Sequence, residues 1–259
     1  MEARKVTEQE FWRYRQWAVK QKLSLKTIYS HLVIVKQAFK WAARLKRIPS
    51  NPFDHISLPE PAPTPQFCPN AEQMAALLAA ADEEDRPLFT FLPYTGCRIG
   101  EAAELRWEDV VFGADGGHLL IRRGGSQGTT KTGGIRRIPI HPELLPVLKG
   151  LPRKTDRVFT RSPSQFDPEG IEPLNVSKCL NRLRVAAKTL KLAENQRFKL
   201  HSFRHFFCSQ LAKGGAPERY VRGLLGHRDS TVTDLYFSLY DDAALDAVKR
   251  IQIPPHKKS

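Results

Sequence analysis

Apolar and polar positions alternate at helical intervals through the first quarter of the chain. Phe11, Trp12, Tyr14 and Trp17 follow a Thr7-x-x-Glu10 pattern, in which a hydroxyl and a carboxylate can satisfy the free amides of a helix start. Ser24 can cap a second helix, where Ile28, Leu32, Val35, Phe39 and Ala42 recur at steps of 4, 3, 4 and 3. Lys26, Lys36 and Lys40 fall on its other face, and Pro49 and Pro52 close the unit. Residues 59–65, PEPAPTP, alternate proline with other residues and predict an extended, semi-rigid connection.

A second unit opens at Asn70, with Gln73 three residues on as another capping pattern, and Met74, Leu77, Leu78 and Ala81 share one helix face. PLFTFLPYTG is apolar enough to be a buried helix. VVF, HLLIRR and IRRIPI predict three short strands joined by Gly-rich turns. From Pro142 onward the pattern is mostly helical, through PELLPVLKGL, NVSKCLNRLRVAAKTLKL, HSFRHFFCSQLAKGG and PERYVRGLLGH to the last amphipathic segment, DDAALDAVKRI. The prediction is therefore a mainly α chain with a small antiparallel sheet. It divides into a helical domain at 1–58, a Pro-rich linker at 59–68 and a larger domain at 69–259.

Charge sharpens this picture. The formal net charge of +14 suits a polyanionic partner, nucleic acid above all. Residues 1–60 hold 12 Lys and Arg against 5 Asp and Glu, a net of +7, so the first quarter carries half the excess. The chain has no run of about 18 apolar residues, so no membrane span is expected. MEARKVTEQE carries no apolar leader and predicts a cytoplasmic, nucleoid-associated protein. Cys68, Cys97, Cys179 and Cys208 form no C-x-x-C pair, which favours reduced, buried thiols over a disulfide framework or a zinc site.

The groups that can do chemistry sit beside sharp turns. TGCRIGE places Arg98 after a Thr-Gly turn with Glu101 three residues on, and TTKTGGIRRIPI places Lys131 ahead of a strand. HSFRH puts His201 and Arg204 on one helix face. LLGHRDSTVTDLYFSLY puts His227 nine residues before Tyr236, with Tyr240 one turn further as a rival nucleophile. Two guanidiniums can fork onto phosphate oxygens and stabilise the added charge of a pentavalent transition state. A tyrosine could then attack phosphorus and hold it covalently. No carboxylate motif offers a metal site, and no cofactor or small-molecule substrate is expected.

In this order the motifs resemble the tyrosine recombinases, the phage-type integrase family with its Xer-like members. YTGCRIGEAAELRWEDV looks like the family's first-arginine motif and KTGGIRRIPI like its β-hairpin lysine motif. HSFRHFFCSQLAKGG looks like its H-x-x-R helix, and LLGHRDSTVTDLY like its Gly-His-to-tyrosine segment. The resemblance covers residues 69–240, and residues 24–53 resemble the later part of the family's core-binding domain. It implies that Arg98 and Arg204 clamp the scissile phosphate and that Lys131 is the general acid. His201 and His227 assist, Tyr236 is the nucleophile, and Glu101 supports the basic groups. It also implies double-stranded DNA as partner and self-association into dimers and tetramers on that DNA; the C-terminal segment docks either on its own domain or, as in similar recombinases, on a neighbouring protomer.

Departures from the pattern are Cys97 and Phe203, where leucine is common, and YFS after the tyrosine in place of YTH. The N-terminal unit is shorter than a usual core-binding domain, and no arm-binding domain is expected. Two other readings share the chemistry: a silent DNA-binding regulator on the same fold, and a type IB topoisomerase. Among the bland assignments, His227 can cap a helix, His205 is set aside as structural, and Trp107 is core. Arg122, Arg123, Arg136 and Arg137 are strand charges, expected at the surface or on phosphates.

Overall fold

Local capping rules decide where the first helices begin. In the computed structural model, which describes residues 6–62, 66–122, 134–161, 164–165, 167–193, 196–226 and 246–255, α1 spans Glu8–Lys20 and α2 spans Leu25–Arg44. Thr7 caps α1: its own amide donates to Glu10 Oε2 at 2.9 Å, and its hydroxyl accepts from the Gln9 amide at 3.3 Å. Ser24 Oγ accepts from the Thr27 amide at 3.1 Å and starts α2. Both helices end by a turn into the left-handed region, at Lys22 (φ 58°) and Lys46 (φ 55°). Each end closes with paired backbone bonds, Leu23 N to Ala18 O at 3.1 Å and Arg47 N to Ala42 O at 2.9 Å.

The chain divides into two compact units, Met1–Gln66 and Phe67–Ser259. In the first, Ile28 and Leu32 of the α2 stripe are buried with Phe11, Ala18, Phe53 and Ile56, and Val35 and Phe39 pack beside them. Phe53 stacks on Phe11 with centroids 4.8 Å apart and meets Phe39 edge-on at 4.8 Å. The Tyr14 hydroxyl meets His31 Nδ1 at 2.6 Å across the hairpin. Lys26 pairs with Glu60 Oε1 at 2.9 Å, and Lys36 donates to the Ile56 carbonyl, so two of the face lysines are partly engaged within the unit. Trp17, Ile34 and Trp41 remain more than half exposed.

The second unit is built from α3 (Ala71–Ala80), α4 (Arg86–Thr95), α5 (Ile99–Glu104), β1 (Val110–Val111), β2 (His118–Arg122), β3 (Ile135–Pro139), α6 (Leu144–Gly150), α7 (Val176–Lys188), α8 (Leu200–Lys213) and α9 (Glu218–Leu225). Among the described residues the architecture is mainly helical with one three-stranded antiparallel sheet in the order β1-β2-β3, the fold class read from the sequence pattern. Leu119 faces Ile138 and Ile121 faces Arg136 across β2 and β3. Period two then sends Leu119, Ile121 and Ile138 inward. The apolar α4 is buried along most of its length against α8, where Phe89 and Phe203 stack at 5.6 Å. Phe203, Phe206 and Phe207 are all fully buried, so the phenylalanine that departs from the leucine pattern serves as core.

Two expectations need correction. Cys97 and Cys179 are buried, but Cys208 is half-buried and Cys68 exposed. Arg136 is not surface charge: it is 9% exposed and pairs with Glu101 at 2.6 Å, whereas Arg122 stays exposed and pairs with buried Asp109 at 2.7 Å. Arg137 contacts His118 Nδ1 at 3.0 Å, and Arg123 lies outside the described residues. Within the single chain, the described end of the C-terminal segment packs on its own unit. Ala247, Val248 and Ile251 join the core of the second unit, and Arg250 Nη1 donates to the Gly214 carbonyl at 2.5 Å. His141, 4% exposed and stacked on Tyr94 at 4.3 Å, accepts from the Glu143 amide at Nδ1 at 3.1 Å. The cause is apolar: Val248 and Ile251 complete a core that would otherwise be open.

Candidate active site

The site grows from the end of α4. Gly96 caps that helix in the left-handed conformation (φ 63°), and a Cβ there would come within 2.4 Å of the Phe207 ring. Only glycine satisfies both the turn and the close approach of α8. The turn delivers Arg98 to the N-cap of α5. Glu101, three residues on, accepts from the Arg98 amide at 2.7 Å and from Arg98 Nη1 at 3.2 Å. The Arg98 side chain stays 47% exposed.

Arg204 reaches the same turn from α8. Its Nη1 donates to the Gly96 carbonyl at 2.8 Å and its Nη2 to the Leu225 carbonyl, at the end of α9, at 2.7 Å. The residue is only 3% exposed. Burial, then the charge of Arg98, works against its protonation, so the two guanidiniums sense each other. A guanidinium has five N–H donors, and the two carbonyls leave the remainder for a ligand.

His201, exposed one turn before Arg204, packs edge-on to His205 with ring centroids 4.8 Å apart. Burial, then the charges of His205, Arg204 and Arg98, pushes its pKa below the ordinary value. That shift favours the neutral imidazole. His205, set aside in the sequence reading, is thus a neighbour of the site; its signal was the i, i+4 spacing from His201.

The structure brings Arg98, His201, Arg204 and Glu101 together. Lys131, His227 and Tyr236, with the rival Tyr240, lie outside the described residues. What is described next to them is Gly226, which caps α9 in the left-handed conformation (φ 67°) immediately before His227.

Glu101 is the hub of the charges. Burial alone would raise its pKa, but bonds and charge from Arg136, with the amide and charge of Arg98, hold its carboxyl below the ordinary value. Arg136 is the residue the sequence reading misplaced. The alternation in IRRIPI puts it on the same inward strand face as Ile138. Cys97, wholly buried beside this network, has its thiol pushed up by burial to about 11 and is no nucleophile.

Fold and site together define a basic, mainly helical domain with an arginine-lined wall. The chain belongs to the phage integrase family, whose model matches residues 70–242. Among its relatives, the tyrosine recombinase of Thermosipho africanus is 23% identical over 231 residues, covering 87% of this chain and 76% of that protein. Tyrosine recombinase XerA of Pyrococcus furiosus is 30% identical over 173 residues, 65% of this chain and 55% of that one. For XerC 2 of Ralstonia nicotianae the chain spans 61% of the relative's length. The fold is that of a lambda integrase fragment solved as a dimer on a core site, with a TM-score of 0.66 at 20% identity over 88% of this chain and 81% of that one.

Proposed function

We propose that the chain is a site-specific recombinase that cuts and rejoins DNA strands through a 3′-phosphotyrosine. The observation that carries this reading is the paired Arg98 and Arg204, one half-exposed and one buried and braced by two carbonyls, beside His201, whose surroundings favour the neutral imidazole. In this reading both arginines clamp the non-bridging oxygens of the scissile phosphate, and their hold tightens as charge builds in the transition state. The Tyr236 oxygen bonds to phosphorus as the bond to the 5′ oxygen breaks. The phenolic proton passes to one imidazole of the His201 and His227 pair while the other helps hold the phosphate, and Lys131 protonates the departing 5′ oxygen. A 5′-hydroxyl from a partner duplex reverses the step, so bond energy is conserved and no cofactor is consumed.

The substrate is double-stranded DNA in the cytoplasm. The active form is a dimer on one duplex and a tetramer across two, as the lambda integrase solved as a tetramer on a Holliday junction supports by likeness of fold.

A nicked duplex that releases its 5′ fragment traps the covalent adduct and tests the reading. The wild-type chain forms the adduct; Tyr236→Phe binds the duplex and forms none; Tyr240→Phe still forms it. An adduct mapped to Tyr240 overturns the nucleophile. Binding without any adduct makes the chain a DNA-binding regulator, and relaxation of supercoils without strand exchange makes it a topoisomerase.

A further inference from the structure

We propose that Arg136 is a positioning residue for the phosphate clamp: it absorbs the charge of Glu101, so that Arg98 can present its guanidinium to the scissile phosphate. The inference rests on the function proposed above and deepens it. Arg136 is 9% exposed and forks onto Glu101, Nη1 to Oε1 at 2.8 Å and Nη2 to Oε2 at 2.6 Å. Glu101, 11% exposed at its side chain, receives only one longer guanidinium bond from Arg98, at 3.2 Å. The carboxylate is thus shared unequally. The buried arginine takes the fork, and the exposed one keeps most of its donors.

The charges explain the arrangement. Arg136, Glu101 and Arg98 sum to +1, and Arg98 is the member that faces solvent. Without Arg136, Glu101 has Arg98 as its one forked partner, and the resulting neutral pair has no surplus charge to offer a phosphate. Arg136 also backs the turn that leads to His227, since a Cβ on Gly226 would lie 3.2 Å from Arg136 Cδ. One side chain on β3 therefore pairs with the carboxylate that holds the Arg98 turn and lies against the end of α9.

The test uses the full chain and the nicked duplex, with duplex binding and single-turnover adduct formation read separately. Arg136→Met should bind within about twofold of wild type and form adduct about 100-fold more slowly. Arg136→Lys keeps the charge but loses the fork, and should slow the adduct about tenfold. Arg136→Met combined with Glu101→Gln should regain about tenfold over Arg136→Met, because no carboxylate remains to capture Arg98. A merely structural role predicts no such gain. Should Arg136→Met fail to fold, Arg136→Gln, which still donates an amide to Glu101, replaces it in the same comparison. Wild-type adduct rates in the single variant, or a double variant no faster than its parent, overturn the proposal. A wild-type chain that forms no adduct overturns the underlying function first, before any variant is compared.

Discussion

At the scale of the residue, the two arginines of the proposed clamp have unequal surroundings, and that inequality can be measured. Arg98→Lys and Arg204→Lys should each slow adduct formation about 100-fold, since a point charge cannot replace the fork. Their effects on folding should part. Lysine at 204 cannot hold both the Gly96 and Leu225 carbonyls in place of two charge-assisted bonds, so stability should fall by about 2 kcal/mol. Lysine at 98, on a side chain 47% exposed, should leave denaturant unfolding within about 0.5 kcal/mol of wild type. Equal unfolding midpoints for the two variants would contradict the bracing role of Arg204. The pairing of these arginines was legible from the order of motifs. The bracing was not, because its acceptors are backbone carbonyls 108 and 21 residues away, which no side-chain pattern encodes. Arg136, expected at the surface or on phosphates, carried a local signal in the alternation of IRRIPI that places it inward, but only the fold brings in Glu101 as its partner.

At the scale of the element, what reads well is what is local. The capping residues Thr7, Ser24 and Asn70 act on amides within three residues, so the starts of α1, α2 and α3 follow from sequence. The ends of α1 and α2 are harder to read, because their left-handed residues are Lys22 and Lys46 rather than the glycine that marks such turns. Gly96 shows the opposite case, a visible glycine with an invisible second reason. Its turn was legible in TGCRIGE; the Phe207 ring 2.4 Å from its would-be Cβ was not. Gly96→Ala should therefore cost more than a left-handed turn alone, about 3 kcal/mol from backbone strain and overpacking together. Urea unfolding checks this. A loss below about 1 kcal/mol would mean that α8 can move aside and that the contact does not fix the Arg204 carbonyl partner.

At the scale of the whole molecule, the question is what the C-terminal segment completes. Its apolar spacing shows that it docks, because so short a stripe does not hold a helix alone. Spacing cannot say on which surface, since a core of the same chain and a groove of a neighbour offer the same apolar chemistry. Within the single chain, Val248 and Ile251 are 0% and 1% exposed in the second unit. Any docking of this stretch on another protomer must first open that core, which places a cost on assembly that DNA has to offset. Ile251→Ala tests the cis arrangement directly. It should lower the stability of the free protein by about 3 kcal/mol, the usual cost of emptying a buried isoleucine site. Denaturant unfolding without DNA is the measurement. An unchanged midpoint would show the segment undocked in solution and return the neighbour-docking alternative. The predicted loss would instead make release of this segment a step that any exchange between protomers has to include.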